Sequence, residues 1–174
     1  MQRFSLVLCA VIVVIIFAFQ QFQPKFQLPL PPGQNEEDEQ TVREAAAGPS
    51  QALNDIYFNV NILGVQEATA ERLESDFGID CSNFTAVLGR YTDGRFGAAD
   101  VILIRPRVGW EDQAREALQA IKLARTNQFR NYDIYNSYSL AANGQIFQRG
   151  GYYILTMIDH AEQVRSILES YISR

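Results

Sequence analysis

The chain has 174 residues, with 15 Lys and Arg against 20 Asp and Glu, one His, two Cys and a formal net charge of −5. That length holds one small folded domain plus accessory segments and excludes a large multidomain enzyme. The acidic balance lacks the broad positive field of a nucleic-acid binder, so no nucleic acid is expected as a partner and an anionic ligand would need a local basic patch.

The run Phe4 to Phe19, FSLVLCAVIVVIIFAF, has Ser5 as its only polar residue, and Phe22 extends it past Gln20 and Gln21. As a helix, residues 4–22 would reach roughly 28 Å, against ~30 Å for a bilayer's hydrocarbon core. This predicts a single-pass transmembrane helix, a signal anchor, over residues 4–22. A cleaved secretory signal is the rival reading. Its apolar region usually runs about 7–15 residues and ends in small residues, whereas Ile16-Phe17-Ala18 is followed by nothing small. Lipoprotein processing is disfavoured because Leu8 precedes Cys9 and ten apolar residues follow it. Cys9 reads as a small apolar residue. Arg3 lies before the span, Lys25 is the only cation shortly after it, and Glu36-Glu37-Asp38-Glu39 comes next. The asymmetry predicts a cytoplasmic tail of residues 1–3 and an extracytoplasmic body at the cell membrane.

Residues 23–49 turn to Pro, Gln and acid, with Pro24, Pro29, Pro31 and Pro32 favouring extended backbone and the acidic run repelling itself. They read as a stalk. Residues 50–174 read as an extracytoplasmic α+β domain. Ser50 is placed to cap a helix over residues 51–63 that turns Leu53, Ile56, Tyr57 and Val60 to one face. A second short helix starts after Thr69, turns Leu73 and Phe77 inward and ends at Gly78. Strand-like runs at residues 83–91 and 99–105 flank Asp93-Gly94 and predict a hairpin. Val101-Ile102-Leu103-Ile104 is apolar at every position, as in a central strand covered on at least one face. A helix is expected from Trp110 to Tyr132, with Ala114, Ala117, Leu118, Ile121, Ala124 and Gln128/Phe129 inward, and Arg125 among the basic residues suiting the helix dipole. A second hairpin turns at Gly150-Gly151. A last helix follows a capping box, Asp159-x-x-Glu162, with Val164, Ile167, Leu168 and Tyr171 inward. The expected order is β-β-α-β-β-α preceded by two short helices, a two-layer sandwich with helices on one sheet face.

The residues from Asp76 to Tyr171 resemble an uncharacterised domain-of-unknown-function family of small clostridial and related Firmicute membrane-anchored envelope proteins and lipoproteins. The carrying stretches are Phe77-Gly78-Ile79-Asp80, Ala99-Asp100-Val101-Ile102-Leu103, Phe129-Arg130-Asn131-Tyr132 and Gly150-Gly151-Tyr152-Tyr153-Ile154-Leu155. Two departures are Asp133, where the family often has Pro, and an unbroken apolar span where many members have a lipobox. The resemblance implies an envelope location and a small α+β domain, and it brings no activity.

The search for chemistry finds no catalytic constellation. Cys81 is the only cysteine of the body and His160 the only imidazole, and one His with scattered carboxylates is a poor metal signature. No catalytic residue, metal or cofactor is assigned. Two clusters point to binding. Arg90, Arg95, Arg105 and Arg107 belong to the first hairpin and the turn after it, and if they converge they suit an anionic envelope polymer or a lipid headgroup. Tyr132, Tyr135 and Tyr138 recur every third residue in a polar loop, a composition suited to stacking sugars or anchoring an envelope protein. The expected function is a non-catalytic binding or scaffold module anchored in the membrane. The rival is an enzyme or enzyme accessory acting on envelope glycans, for which a deep polar cleft reached by Asp133, Asp159 or His160 would speak.

Overall fold

The computed structural model describes residues 36–173 except 59 and 61, so the expected span at residues 4–22 lies outside the described residues. Among the described residues no helix is long and apolar enough to cross a membrane. In chain order the elements are α1 (Glu36–Phe58), β1 (Val65–Glu67), α2 (Ala70–Phe77), β2 (Phe84–Thr92), β3 (Asp100–Pro106), α3 (Glu111–Phe129), α4 (Ser137–Ala142), β4 (Gln145–Arg149), β5 (Tyr152–Met157) and α5 (Ala161–Tyr171). Short 3-10 turns at Gly94–Phe96 and Ile134–Asn136 complete the set. The strands form one antiparallel sheet in the order β1-β2-β3-β5-β4. The α+β class is as expected.

The layering differs from expectation, because helices cover both faces of the sheet. Successive side chains of a strand point to opposite faces, and the uninterrupted apolar runs of β3 and β5 are buried on both. Ile102, Ile104, Tyr153, Leu155 and Met157 pack with Ala114, Leu118, Ile121 and Phe129 of α3 and Leu73 of α2. Val101, Leu103, Tyr152 and Ile154 pack with Leu53, Ile56 and Tyr57 of α1 and Val164 and Leu168 of α5. A two-layer sandwich would have left the second set in water, so the architecture is α/β/α in layers.

Several boundaries also move. The first helix starts at Glu36 rather than after Ser50 and ends at Phe58, so it takes in residues 36–49, which the composition had placed in the stalk. Glu, Gln and Ala are good helix formers and offset the Pro-rich approach. Pro49 inside α1 costs about 3 kcal/mol; the buried Leu53, Ile56 and Tyr57 that follow each contribute about 1.5–3 kcal/mol, and burial wins. A short strand, β1, separates the first two helices. Around α2 the expectation holds: Thr69 Oγ1 accepts from Arg72 N at 3.3 Å, and Gly78 closes the helix at φ 69°, a left-handed turn where a Cβ would be strained. The capping box before α5 does not form. Instead, His160 occupies the cap position at φ 55° with no side-chain cap, and Asp159 Oδ1 accepts from His160 N at 2.8 Å.

The sheet has two distinct ends. Asp100 pairs with Met157 and Ile104 with Tyr153, so the start of β3 and the exit of β5 share one end. At the other end, a Cβ on Gly150 would meet Ser173 O at 2.7 Å, one on Gly151 would lie 3.6 Å from Arg105 Nε, and one on Gly48 would meet Tyr171 O at 2.6 Å. Helix α1 therefore passes the Arg105 end at Gly48 and reaches the Asp100 end at Tyr57, whose hydroxyl donates to Ala99 O at 2.6 Å.

Candidate functional site

Under the Asp100 end lies a buried ion pair that composition did not advertise. Arg125 of α3 donates from Nε to Asp100 Oδ2 at 2.7 Å and from Nη2 to Asp100 Oδ1 at 3.1 Å, with side chains 3% and 0% exposed. Thr92, the last residue of β2, donates its backbone N–H to Asp100 Oδ1 at 3.0 Å, and its hydroxyl accepts from Arg125 Nη2 at 2.9 Å. That hydroxyl also reaches the Gly97 carbonyl. Arg125 Nη1 bonds Gln128 Oε1 at 2.6 Å, and the guanidinium lies 4.7 Å from the Phe129 ring centroid. Among the described residues no buried side-chain nitrogen or oxygen lacks a partner. A buried charge is tolerable only when it is paired and its remaining donors are satisfied, and this cluster meets both conditions.

The cluster ties the β2–β3 connection to the loop after α3. Gly97 sits at φ 99°, and a Cβ there would approach Ser137 Oγ to 2.9 Å, so only glycine fits. The next amide, Ala98 N, donates to the buried Ser137 Oγ at 2.9 Å, and Ser137 Oγ donates onward to Ile134 O. Asp133 Oδ1 accepts from Tyr138 N at 2.8 Å, a bond at the start of α4 made by the residue where the resemblance led to Pro.

On this base the loop presents its tyrosines to solvent: Tyr132 is 64%, Tyr135 83% and Tyr138 39% exposed. Tyr135 and Asn136 have φ 51° and 62°, and with His160 they are the non-glycine residues of positive φ among those described. All three lie beyond the Asp100 end of the sheet. Side chains with a Cβ resist this region, at roughly 1–2 kcal/mol per residue, and such strain gathers at functional sites. Leu63, 71% exposed, precedes Gly64, where a Cβ would strike the Phe96 ring at the hairpin tip.

The four arginines do not converge. Arg95 lies at the tip of the hairpin near the tyrosine loop, bonded to Asp93 Oδ2 at 2.6 Å and stacked on Phe96. Arg90 lies on the α1 face, donating to Asn54 Oδ1 at 2.6 Å over the Tyr57 ring. Arg105 stacks on Tyr152 at the opposite end of the sheet, and the exposed Arg107 follows it beyond β3. Sequence reasoning passed over Asp100, Thr92, Arg125 and Ser137. The usable signal was Arg125, which continues the inward series Leu118, Ile121 and Phe129, whereas Ala124 is exposed.

Electrostatics set these groups apart. Asp93 is held down to about 2 by hydrogen bonds from the Arg95 side chain and backbone. Burial pushes the Tyr57 hydroxyl well above its ordinary range, and Asp100 adds to the shift. The Cys81 thiol is pushed up to about 11 by burial and by Asp80, Glu74 and Glu71, which leaves little thiolate for nucleophilic work at neutral pH. Asp159 and His160 approach to 3.6 Å with side chains 79% and 77% exposed, so they are solvated rather than lining a deep cleft. Among the described residues no group of three or more His, Cys, Asp or Glu could hold a metal ion. A separate shallow groove of about 460 Å³ lies between α1 and α5, lined by Asp55, Phe58, Ile167, Ser170 and Tyr171.

Comparison with curated proteins and with solved structures gives no match. One family profile matches residues 59–158, described as a domain of unknown function, DUF4358. The matched stretch contains Thr92, Gly97, Asp100, Arg125, Ser137 and the three tyrosines, while α1 and α5 fall outside it. With more than half of its length matched, the chain belongs to the DUF4358 family.

Proposed function

We propose that this protein is a non-catalytic binding module of the cell envelope, anchored by the apolar segment at residues 4–22, with an extracytoplasmic body whose contact surface is the Tyr132–Tyr138 loop. The observation that carries the reading is the pair Tyr135 and Asn136, held at positive φ with Tyr135 83% exposed. A strained, solvent-facing aromatic kept in place by a buried ion pair gains nothing for the core. Tyrosine supplies a large apolar contact at low entropy cost and a polar tip for a hydrogen bond, which suits an envelope protein or a glycan. The course of α1 agrees with this reading, since the chain meets the sheet at the Arg105 end and leaves the tyrosine loop at the other.

The test places a photo-crosslinking amino acid at Tyr135 and, as a control, at Glu116 on the exposed side of α3, in the full chain in its native membrane. A defined envelope protein or glycan captured from Tyr135 and not from Glu116 supports the module. Equal capture from both positions overturns it. Protease added to intact spheroplasts checks the location, and survival of the body would sink the extracytoplasmic assignment.

A further inference from the structure

The sheet order leaves two edges, and they are unlike. The β1 edge is three residues long, ends at the exposed Glu67, and its Gln66 side chain is held by Arg72. The β4 edge runs five residues, Gln145-Ile146-Phe147-Gln148-Arg149, with no Pro, no Gly and an unbroken register against β5. Its only charge, Arg149, is turned to the end of α5, donating from Nε to Ile172 O at 2.8 Å and from Nη2 to Glu169 O at 3.2 Å. Proteins commonly blunt a strand edge with Lys, Pro, a bulge or a covering element, because its outer row of N–H and C=O groups is a template for another strand. None of the sequence devices is present on β4.

We propose that β4 pairs with β4 of a second copy of this chain, antiparallel about a two-fold axis at Phe147, to join two five-stranded sheets into one. The edge is complementary to itself in that register. Phe147 meets its own copy, an aromatic cross-strand pair of the kind that stabilises sheets. Gln145 stands opposite Arg149 and Ile146 opposite Gln148, so no like charges are opposed. On the α5 face, Arg165 lies 4.7 Å from the Phe147 ring centroid and bonds Glu169 Oε1 at 3.0 Å. The axis at Phe147 brings Arg165 toward its own copy, and each guanidinium keeps Glu169 of its own chain as its counter-charge. The closed two-fold arrangement uses the same patch on both copies and ends the exposed edge.

A two-strand seam is small beside the ~1,600 Å² of a standard interface, so the dimer is read by crosslinking in the membrane rather than after dilution. Two differently tagged full-length chains, both with Cys9→Ser and Cys81→Ser, carry either Ile146→Cys or Gln148→Cys and are co-expressed and oxidised. The expected product is a mixed-tag disulfide dimer, several-fold more abundant than from a control pair carrying Glu67→Cys on the other edge. A yield no higher than the control overturns the proposal. A second readout leaves Ile146 intact, with a photo-crosslinker at the exposed Gln148. An adduct at twice the chain's mass supports the pairing, and an adduct to a foreign polypeptide, or none, overturns it.

Discussion

Arg125 reaches across from α3 to hold the Asp100 carboxylate through two hydrogen bonds, of 2.7 and 3.1 Å, at the point where β3 begins. The pair joins a helix to a strand, and through Thr92 and Gly97 it fixes the connection on which the tyrosine loop rests. Removing one partner strands the other charge out of water, at a cost of about 3–5 kcal/mol, whereas replacing both with apolar residues of similar volume is far milder. Arg125→Met alone should therefore lower stability by that amount, and Asp100→Leu combined with Arg125→Met should recover most of it. Urea denaturation followed by far-UV circular dichroism checks both. Equal losses in the single and double variants would show that the pair is not an energetic unit.

Tyr135→Gly should stabilise the fold by about 1 kcal/mol, because glycine adopts φ 51° without the Cβ clash. The same change should abolish capture of the loop's partner. Thermal unfolding and crosslinking from a photo-reactive residue placed at the exposed Tyr132 instead, run side by side on chains with Tyr135 intact and with Tyr135→Gly, separate the two effects. A variant both less stable and still competent to bind would contradict the reading of the strain.

Gly97→Ala should act in the opposite sense. Its φ of 99° and the 2.9 Å approach to Ser137 Oγ make a methyl group costly at that position, by more than the ~1 kcal/mol that a favourable Gly→Ala change would gain. The expected outcome is a lowered melting temperature, with the Tyr132–Tyr138 loop losing amide protection before the β3–β5 centre does. Hydrogen exchange distinguishes this order from uniform loosening.

Two titrations bracket the pH range. Asp93 is depressed to about 2 by Arg95, so the contribution of that contact is present above the unfolded carboxylate range, near 3.8, and is lost as pH falls toward about 2. A carbon-detected titration should find the Asp93 midpoint near 2, and Arg95→Ala should return it toward 3.8. At the alkaline end, Tyr57 is raised above its ordinary 10.0. The folded state then keeps a proton that the unfolded state releases, so stability falls as pH rises beyond about 10. Tyr57→Phe should flatten that slope while costing about 1–2 kcal/mol through the lost bond to the Ala99 carbonyl.

Local pattern was enough for the elements inside the folded body. The 3.6-residue period of Ala114, Leu118 and Ile121, the Thr69 cap with Gly78, and the hairpins turning at Asp93-Gly94 and Gly150-Gly151 depend on neighbours in sequence, and the structure has them where expected. The tyrosine loop was also legible as polar and aromatic. What sequence alone could not decide depends on long-range partners. An apolar run such as Val101–Ile104 demands cover but does not say from how many helices, and only the return of α1 and α5 to the second face shows that there are two layers of them. Arg125 reads as a surface cation until Asp100, 25 residues away, is brought beside it. The four arginines share one hairpin and its following turn in sequence, yet the length and pleat of the strands send them to different ends and faces. Burial, pairing and backbone strain arise only when distant segments meet, and for that reason the base of the candidate site belongs to the tertiary structure.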